Sequence, residues 1–299
     1  MADLTGPRVI ETGVAAGQAI LPEPPAMWSY SSLKEVETCP LRYALSRADY
    51  PDLWEQHGYP RLPIAATIRG DVVHGSLEII VKAIVRAGCA STRSAEAVAV
   101  LRELGGYTQI AEEVLAAQLA RLEGNPRVTT DRREQFTRIL TEWVPEAREQ
   151  IQTYLNRMEL RTPASVPSGP KASPSDHTAR CPARAGEHPE KELVADSLRL
   201  KGRIDLLSVD SESVRITDFK TGAEDPSHHD QLRLYALLWD ADAVVNPDGL
   251  AVTTLGAAYP SYSVAVAVPD TNELADLGDA VAARIETACR HRGRRSARG

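Results

Sequence analysis

Cysteine is scarce in this sequence, and its spacing argues against two common kinds of site. The four cysteines, Cys39, Cys89, Cys181 and Cys289, are far apart and form no Cys-x-x-Cys pair. Structural zinc modules need closely spaced cysteines, so we do not expect one here. We also expect no disulfide bonds, because the protein is predicted below to be cytoplasmic and therefore to be in a reducing compartment.

Long apolar runs, a secretory signal and a nucleotide-binding loop are also missing. No run approaches the roughly 18 apolar residues that span a bilayer. The opening residues, MADLTGPRVIETG, lack a basic segment followed by an apolar one. We therefore expect a cytoplasmic protein. The sequence contains no GxxxxGK[ST] string, so we expect neither helicase nor ATPase activity from this chain itself.

Excess positive charge is absent as well, since the formal net charge is -7. This value is unfavourable for a protein coated in nucleic acid but compatible with a metal site, where a divalent ion offsets clustered carboxylates. The last ten residues, RHRGRRSARG, contain five arginines and no acid. We predict a solvated basic tail over residues 290–299, with phosphate contact as the alternative role.

The first part of the chain is predicted to be helical after a poorly ordered leader, residues 1–26. In SYSSLKEVETC, Ser32 and Glu35 have capping-box spacing, and Pro40 should end that helix. Apolar periodicity predicts three further helices, over residues 69–87, 94–123 and 131–159. Residues from about 88 to 160 then form an inserted helical subdomain of one domain that covers residues 27–289.

The periodicity changes after a proline-rich stretch at residues 161–190, which we predict to be a flexible loop. The segments KELVADSLRLKGRIDLLSVD and SVRITDFKTG are typical of strands joined by a turn at Asp210–Glu212. A helix in DQLRLYALLWDAD, a second strand pair and a terminal helix at 270–289 follow. This order predicts an α/β fold whose catalytic core, about residues 191–289, is a mixed sheet flanked by helices.

The strongest chemical signal is the string GRIDLLSVDSESVRITDFKTG at residues 202–222. Asp205 and Asp218 lie on adjacent predicted strands, and Lys220 shares a strand face with Asp218 because side chains alternate along a strand. Two carboxylates bind hard ions such as Mg²⁺ or Mn²⁺, and the lysine can orient or deprotonate a water and stabilise phosphate charge. The alternative is a surface hairpin with an ordinary Asp–Lys pair.

Five motifs in sequence order resemble the PD-(D/E)XK nuclease superfamily in its RecB-like branch. GRIDLL and ITDFKTG are similar to its paired metal-binding motifs. WSYSSLKEVETCPLRYAL resembles its Ser-rich helix ending in Cys-Pro, RGDVVHGSLE its histidine motif, and DQLRLYALL its Q-x-x-x-Y motif. The resemblance covers residues 28–240, apart from the helical insert and the proline-rich loop.

The resemblance implies roles for eight residues. The implied metal-binding residues are His74, Asp205, Asp218 and Phe219. The implied catalytic residues are Asp205, Asp218, Lys220 and Glu192, with Glu190 as the alternative to Glu192. Gln231 and Tyr235 are implied to lie near the active site and the DNA backbone, although a capping glutamine and a core tyrosine remain the alternative. His228 and His229 precede the predicted helix of Gln231 and Tyr235, and we expect them to be solvated, with phosphate contact as the alternative.

The resemblance also implies an activity and its partners. We expect a Mg²⁺- or Mn²⁺-dependent deoxyribonuclease of DNA repair, recombination or phage defence, with a separate helicase or defence-complex subunit supplying any unwinding. Some RecB-like nucleases hold an iron–sulfur cluster with one early cysteine and three late ones. Here Cys39 is followed at the C-terminal end by Cys289 alone, so we expect no cluster and a buried Cys39. The competing hypotheses are a catalytically weak DNA-binding subunit and a helical interaction protein.

Overall fold

Five strands in the described part of the chain form one mixed sheet in which spatial order follows chain order. Successive strands pair antiparallel, except that β3 and β4 are parallel because a helix crosses over between them. This architecture confirms the predicted α/β fold with a mixed sheet. The strands are β1 (Gly186–Ala195), β2 (Leu200–Val209), β3 (Val214–Phe219), β4 (Val252–Ala258) and β5 (Ser263–Val266).

This computed structural model describes residues 22–50, 58, 61–160 and 180–296. Most of the predicted leader and of the proline-rich loop therefore lies outside the described residues. Among the helices that are described, none combines the length and apolar character needed to cross a membrane. The helices are α1 (Tyr30–Thr38), α2 (Pro40–Leu45), α3 (Ala65–Arg86), α4 (Ala95–Glu103), α5 (Gly106–Glu123), α6 (Thr130–Glu142), α7 (Val144–Arg157), α8 (Pro226–Ala241) and α9 (Thr271–Ser296).

Two apolar cores lie on opposite faces of the sheet. The first core is formed by one sheet face with α8, α9 and the N-terminal α1, and it includes the fully buried Trp28 and Trp239. The second core is formed by α3 to α7 and receives Leu206 and Phe219 from the other sheet face. The point where β2 and β3 carry their acidic residues is therefore bounded by helices on both sides.

Two predicted helices are each split in the structure. The segment 94–123 breaks between α4 and α5, where Gly105 and Gly106 both have a left-handed φ of 83°. Glycine adopts this conformation without the steric cost that other residues incur. The segment 131–159 breaks at Trp143, because Pro145 lacks the N–H that would continue the helical hydrogen bonds. The two predictions of continuous helices were wrong at these points.

Strand β1 begins at Gly186, earlier than the predicted loop boundary at residue 190, and includes Pro189. The proline is tolerated because β1 is an edge strand, and an edge strand does not need every N–H for pairing. At the other end of the chain, α9 continues to Ser296. Residues 290–296 of the predicted basic tail are thus helical.

The N-terminal helix is capped one turn earlier than predicted. Ser29, rather than Ser32, is the N-cap, and Ser29 and Ser32 form the reciprocal capping box. Pro40 does not only end α1, because it is the first residue of α2. The Cys39 sulfur accepts the Arg42 main-chain N–H at 3.4 Å. Cys39 is therefore a half-buried helix cap and not the buried core thiol that was expected.

A buried ion pair ties the end of α8 to the edge of the sheet. Asp242 is 1% exposed, and its carboxylate accepts hydrogen bonds from Arg180 at 2.5 Å and from the Val194 main-chain N–H at 2.8 Å. Burial by itself raises the pKa of Asp242, but Arg180 and the main-chain donors outweigh burial and hold the pKa below its usual value. The charged form is thus favoured in the folded protein.

Asp242→Asn is expected to lower the unfolding free energy by about 1.5–3 kcal/mol at neutral pH, because Arg180 and the main-chain donors lose a charged acceptor, while Arg180 keeps the Val194 carbonyl. Since the folded-state pKa is below the unfolded value of about 3.9, the contribution is complete above that value and disappears as pH falls through the folded-state pKa. The difference from wild type should shrink as the pH is lowered below that unfolded value. Urea titrations across pH measure it, with the exposed Asp240→Asn as control. An equal difference at every pH would contradict the linkage.

Candidate active site

Asp205 and Asp218 meet where β2 pairs with β3. Leu206 is opposite Thr217 in the antiparallel ladder, so Asp205 and Asp218 occupy the next positions of the two strands. Both are buried, at 7% and 2% exposure. The Asp205 Oδ2 atom accepts the Phe219 main-chain N–H at 2.6 Å, which fixes one carboxylate against the neighbouring strand. The structure thus brings the two predicted aspartates together at one end of the hairpin.

His74 reaches this pair from α3 on the second core. Its Nε2 atom is 3.0 Å from Asp205 Oδ2. The hydrogen bond to Asp205 raises the pKa of His74 to about 9, with further contributions from the charges of Asp205 and Glu190. The histidine motif and the aspartate motif are 131 residues apart in the chain, and this contact brings them together.

The acidic residue that β1 contributes is Glu190. Its carboxylate groups with His74 and Asp205, and the potential ligand atoms of these three residues lie within 4.8 Å of one another. Burial, followed by the charges of Asp205 and Glu78, raises the pKa of Glu190 to about 7. Glu192 is exposed to solvent and pairs in register with Arg203. The structure thus brings Glu190, the alternative considered from the sequence, to the candidate site, and not the preferred Glu192.

The choice between the two glutamates depends on an irregularity in the strands. Along β2, both Ile204 and Leu207 pack in the first core. They are three residues apart, and strict alternation would place them on opposite faces of the sheet. Opposite this point Glu190 has a left-handed φ of 56°. Simple alternation would give Glu190 and Glu192 the same face. Because the local backbone departs from alternation, only Glu190 faces Asp205.

Lys220 begins a chain of polar contacts that leads into α8. Its ammonium ion-pairs with the Asp218 carboxylate and donates to Gln231 Oε1 at 2.7 Å. Gln231 in turn donates through Nε2 to the Tyr235 hydroxyl at 2.7 Å. Tyr235 is only 7% exposed, so it supports Gln231 from within the core. The i, i+4 pair predicted on one helix face therefore holds Lys220 in position.

Two glycines allow the helices to approach the site closely. A Cβ at Gly202 would lie 2.8 Å from Leu238 Cδ1 and 2.9 Å from Tyr235 Cε1. A Cβ at Gly70 would lie 2.9 Å from the Thr221 hydroxyl oxygen. These distances are shorter than ordinary carbon contacts. Gly202 of the GRID segment and Gly70 of the RGDVVHG segment are thus needed for close packing around the carboxylates.

Tyr154 of α7 is a supporting residue that the sequence did not reveal. Its hydroxyl donates to the Lys220 main-chain carbonyl at 2.5 Å, and its ring packs edge-on against Phe219. His74 contacts the same phenylalanine ring with centroids 6.4 Å apart. The Phe219 side chain has no donor atom for a hard cation, so only its main-chain carbonyl oxygen could serve as a ligand atom. No signal around Tyr154 distinguishes it from other apolar positions of the helix.

Acidic groups are crowded at this site beyond what the nearby cations neutralise. Burial, followed by the negative charge of Asp205, raises the pKa of Asp218, and Lys220 opposes the rise. Glu190 shows the same effect of burial and neighbouring carboxylates. Crowded carboxylates together with an imidazole, which would lose its proton on binding the ion, are a donor set that fits a divalent cation such as Mn²⁺ or Mg²⁺. A cation there would relieve the repulsion that the pKa shifts express.

Comparison with known protein families matches residues 27–296 to the family described as the PD-(D/E)XK nuclease superfamily. The match begins just before α1, spans both cores and the sheet, and ends with α9. A search of curated proteins gives no match.

Proposed function

The chain belongs to the PD-(D/E)XK nuclease superfamily, and we propose that it is a deoxyribonuclease that hydrolyses phosphodiester bonds with a bound Mg²⁺ or Mn²⁺ ion. The observation that carries the proposal is the convergence of His74, Glu190 and Asp205 within 4.8 Å, beside the Asp218–Lys220 ion pair. We further propose that it is of the RecB-like branch, lacks an iron–sulfur cluster, and serves repair, recombination or phage defence beside a separate helicase or defence subunit.

In the proposed mechanism the ion would be held by the carboxylates of Asp205 and Asp218, the His74 imidazole and the Phe219 carbonyl. Glu190 would bind it directly or through water. When bound, the ion polarises the scissile phosphate and lowers the pKa of a coordinated water. Lys220 supplies a positive charge beside Asp218, where it can orient the attacking water and stabilise charge on the phosphate. Gln231 keeps the ammonium aimed at this point, because it accepts one of its three protons.

The presence of Lys220 favours an enzyme over a DNA-binding subunit that has lost activity. A subunit that only binds DNA needs neither a buried carboxylate pair nor a lysine held between Asp218 and Gln231. The test is incubation of the purified full chain with linear and circular DNA in Mg²⁺, Mn²⁺ or EDTA. Cleavage with either ion and none in EDTA is the expected result. DNA binding without cleavage under any of these conditions would support the inactive subunit instead.

Glu190→Gln is expected to weaken Mn²⁺ binding about 10–100-fold, the range measured when a group that supports a metal site is removed. The matched control is Glu192→Gln on the same strand, whose exposed side chain should leave binding unchanged. Calorimetric titration with Mn²⁺ measures both variants. If Glu192→Gln loses affinity and Glu190→Gln does not, the acidic ligand is Glu192 as first predicted from the sequence.

A further inference from the structure

Two tyrosines lie beside the candidate site at the tip of the β4–β5 hairpin. Tyr259 is 2% exposed, whereas Tyr262 is 41% exposed. Their rings are stacked, with centroids 4.8 Å apart and planes inclined by 15°. The turn between them is closed by the Tyr259 main-chain N–H, which donates to the Tyr262 carbonyl at 2.8 Å. The pair thus presents a supported aromatic ring to solvent.

The topology of the sheet places this aromatic pair next to Lys220. Strands β3 and β4 are parallel, so Lys220 after β3 and Tyr259 after β4 leave the sheet at the same edge. The Lys220 main-chain N–H donates to the Ala258 carbonyl at 2.8 Å, directly before Tyr259. Burial raises the pKa of Tyr259, and the charges of Glu224 and, less strongly, Asp218 add to the rise. The hairpin tip is therefore part of the rim of the proposed active site.

Contacts from two helices hold the hairpin tip in place. The Tyr259 hydroxyl shares a 2.7 Å hydrogen bond with His228 Nδ1 at the start of α8. Arg157 at the end of α7 donates to the carbonyls of Tyr259 and Pro260 at 3.5 and 3.4 Å. His228 was expected to be solvated, and the structure instead gives it this supporting contact. A stacking surface that is fixed before binding loses little entropy when a ligand arrives.

The charges around the hairpin tip suit a phosphate backbone. Arg157 donates to the carbonyls of Tyr259 and Pro260, and Lys34 contacts Ser227 on the adjacent α8 terminus at 2.7 Å. The acids of this region are Asp225, whose main chain hydrogen-bonds Tyr259, and Glu224, whose carboxylate lies 3.9 Å from His229 Nε2. An exposed ring among cations is the combination that binds single-stranded nucleic acid, because bases stack on aromatic faces while cations neutralise phosphates.

We propose that Tyr262 is a stacking platform for an unpaired base next to the scissile phosphate, so that the enzyme prefers single-stranded DNA or frayed ends. The inference rests on the proposed nuclease function and adds strandedness to it. A base inside a duplex has both faces covered by its neighbours, so it cannot stack on Tyr262 without being unpaired. The preference therefore follows from the aromatic surface and not from sequence readout.

The test measures binding of the full chain to DNA in EDTA, where metal-dependent cleavage does not occur. The probes are a single strand carrying 2-aminopurine, whose fluorescence falls on stacking, and a blunt duplex of the same sequence. Tyr262→Leu keeps an apolar side chain but removes the aromatic face, and Tyr262→Phe keeps the face. Tyr262→Leu should bind the single strand about 5–150-fold more weakly and lose the quenching, in the range for one stacked base. Tyr262→Phe should behave as wild type.

Each outcome separates this inference from the function on which it rests. Duplex affinity should change little in Tyr262→Leu, and with metal present that variant should lose its preference for single-stranded substrate while still cleaving. Equal single-strand binding by wild type and Tyr262→Leu, or an equal loss on both probes, overturns the stacking role but leaves the nuclease intact. A wild-type protein that neither binds DNA nor cleaves it with metal overturns both.

Discussion

Asp218→Asn and Asp205→Asn are each expected to reduce DNA cleavage to background while leaving the fold intact. Asparagine keeps the size of the side chain but removes the charge that holds a divalent ion. The ion contributes several kcal/mol to the stabilisation of the reacting phosphate, which corresponds to about a thousandfold in rate or more. Single-turnover cleavage in Mg²⁺ and in Mn²⁺ measures the loss, and calorimetry measures the accompanying loss of Mn²⁺ binding.

The fold of these two variants should survive for a specific reason. Asp205 and Asp218 are buried close to each other, and the raised pKa of Asp218 expresses the cost of keeping both ionised without a metal. Removing one charge relieves that repulsion but also takes a partner from His74 or Lys220, so thermal unfolding in EDTA should stay close to the wild-type temperature. Asp276→Asn, an exposed acid on α9, is the matched control. Wild-type cleavage rates in both active-site variants would show that the catalytic carboxylates lie elsewhere.

Lys220→Ala is expected to retain most of the metal affinity and lose the chemical step. The ammonium pairs with Asp218 and Gln231, so it can act on the attacking water or on phosphate charge without being a ligand itself. Help of this kind contributes about 10²–10⁴-fold to the rate. Lys220→Arg should rescue only in part, because the planar guanidinium cannot occupy the same point between two acceptors or release a proton easily.

The Lys220 prediction is checked by measuring Mn²⁺ binding and single-turnover cleavage on the same preparations. Lys201→Ala serves as the control, since Lys201 is an exposed lysine on β2. Metal binding and cleavage that fall in proportion would make Lys220 a support for the metal site. Cleavage at the wild-type rate would remove it from the mechanism altogether.

The parts of the site that could be predicted are those encoded by local periodicity. Asp205, Asp218 and Lys220 follow from two alternating strands joined by a short turn, and the structure pairs those strands as expected. Gln231 and Tyr235 share a helix face because they are four residues apart. In each case the spacing along the chain determines the geometry, so the sequence alone contains enough information.

The parts that could not be predicted depend on irregular backbone or on distant contacts. Glu190 displaces Glu192 because of a left-handed residue in a strand, and no glycine marks that position. Tyr154 and Ala258 contact Lys220 from 66 residues before it and 38 residues after it, through long-range contacts that no local pattern expresses. The two interrupted helices have a visible cause in Gly105 and Pro145, yet the surrounding apolar spacing favoured continuous ones.

The Tyr154 contact has a consequence for how the molecule opens. It joins α7 to the residue directly after β3, and both elements pack in the second core. Because this hydrogen bond links the helices of that core to the catalytic strand, the amide hydrogens of α7 and of the end of β3 should exchange in one cooperative unit. Local opening of α7 would then disturb the main chain at Lys220, so the position of the Lys220 ammonium depends on the stability of the second core.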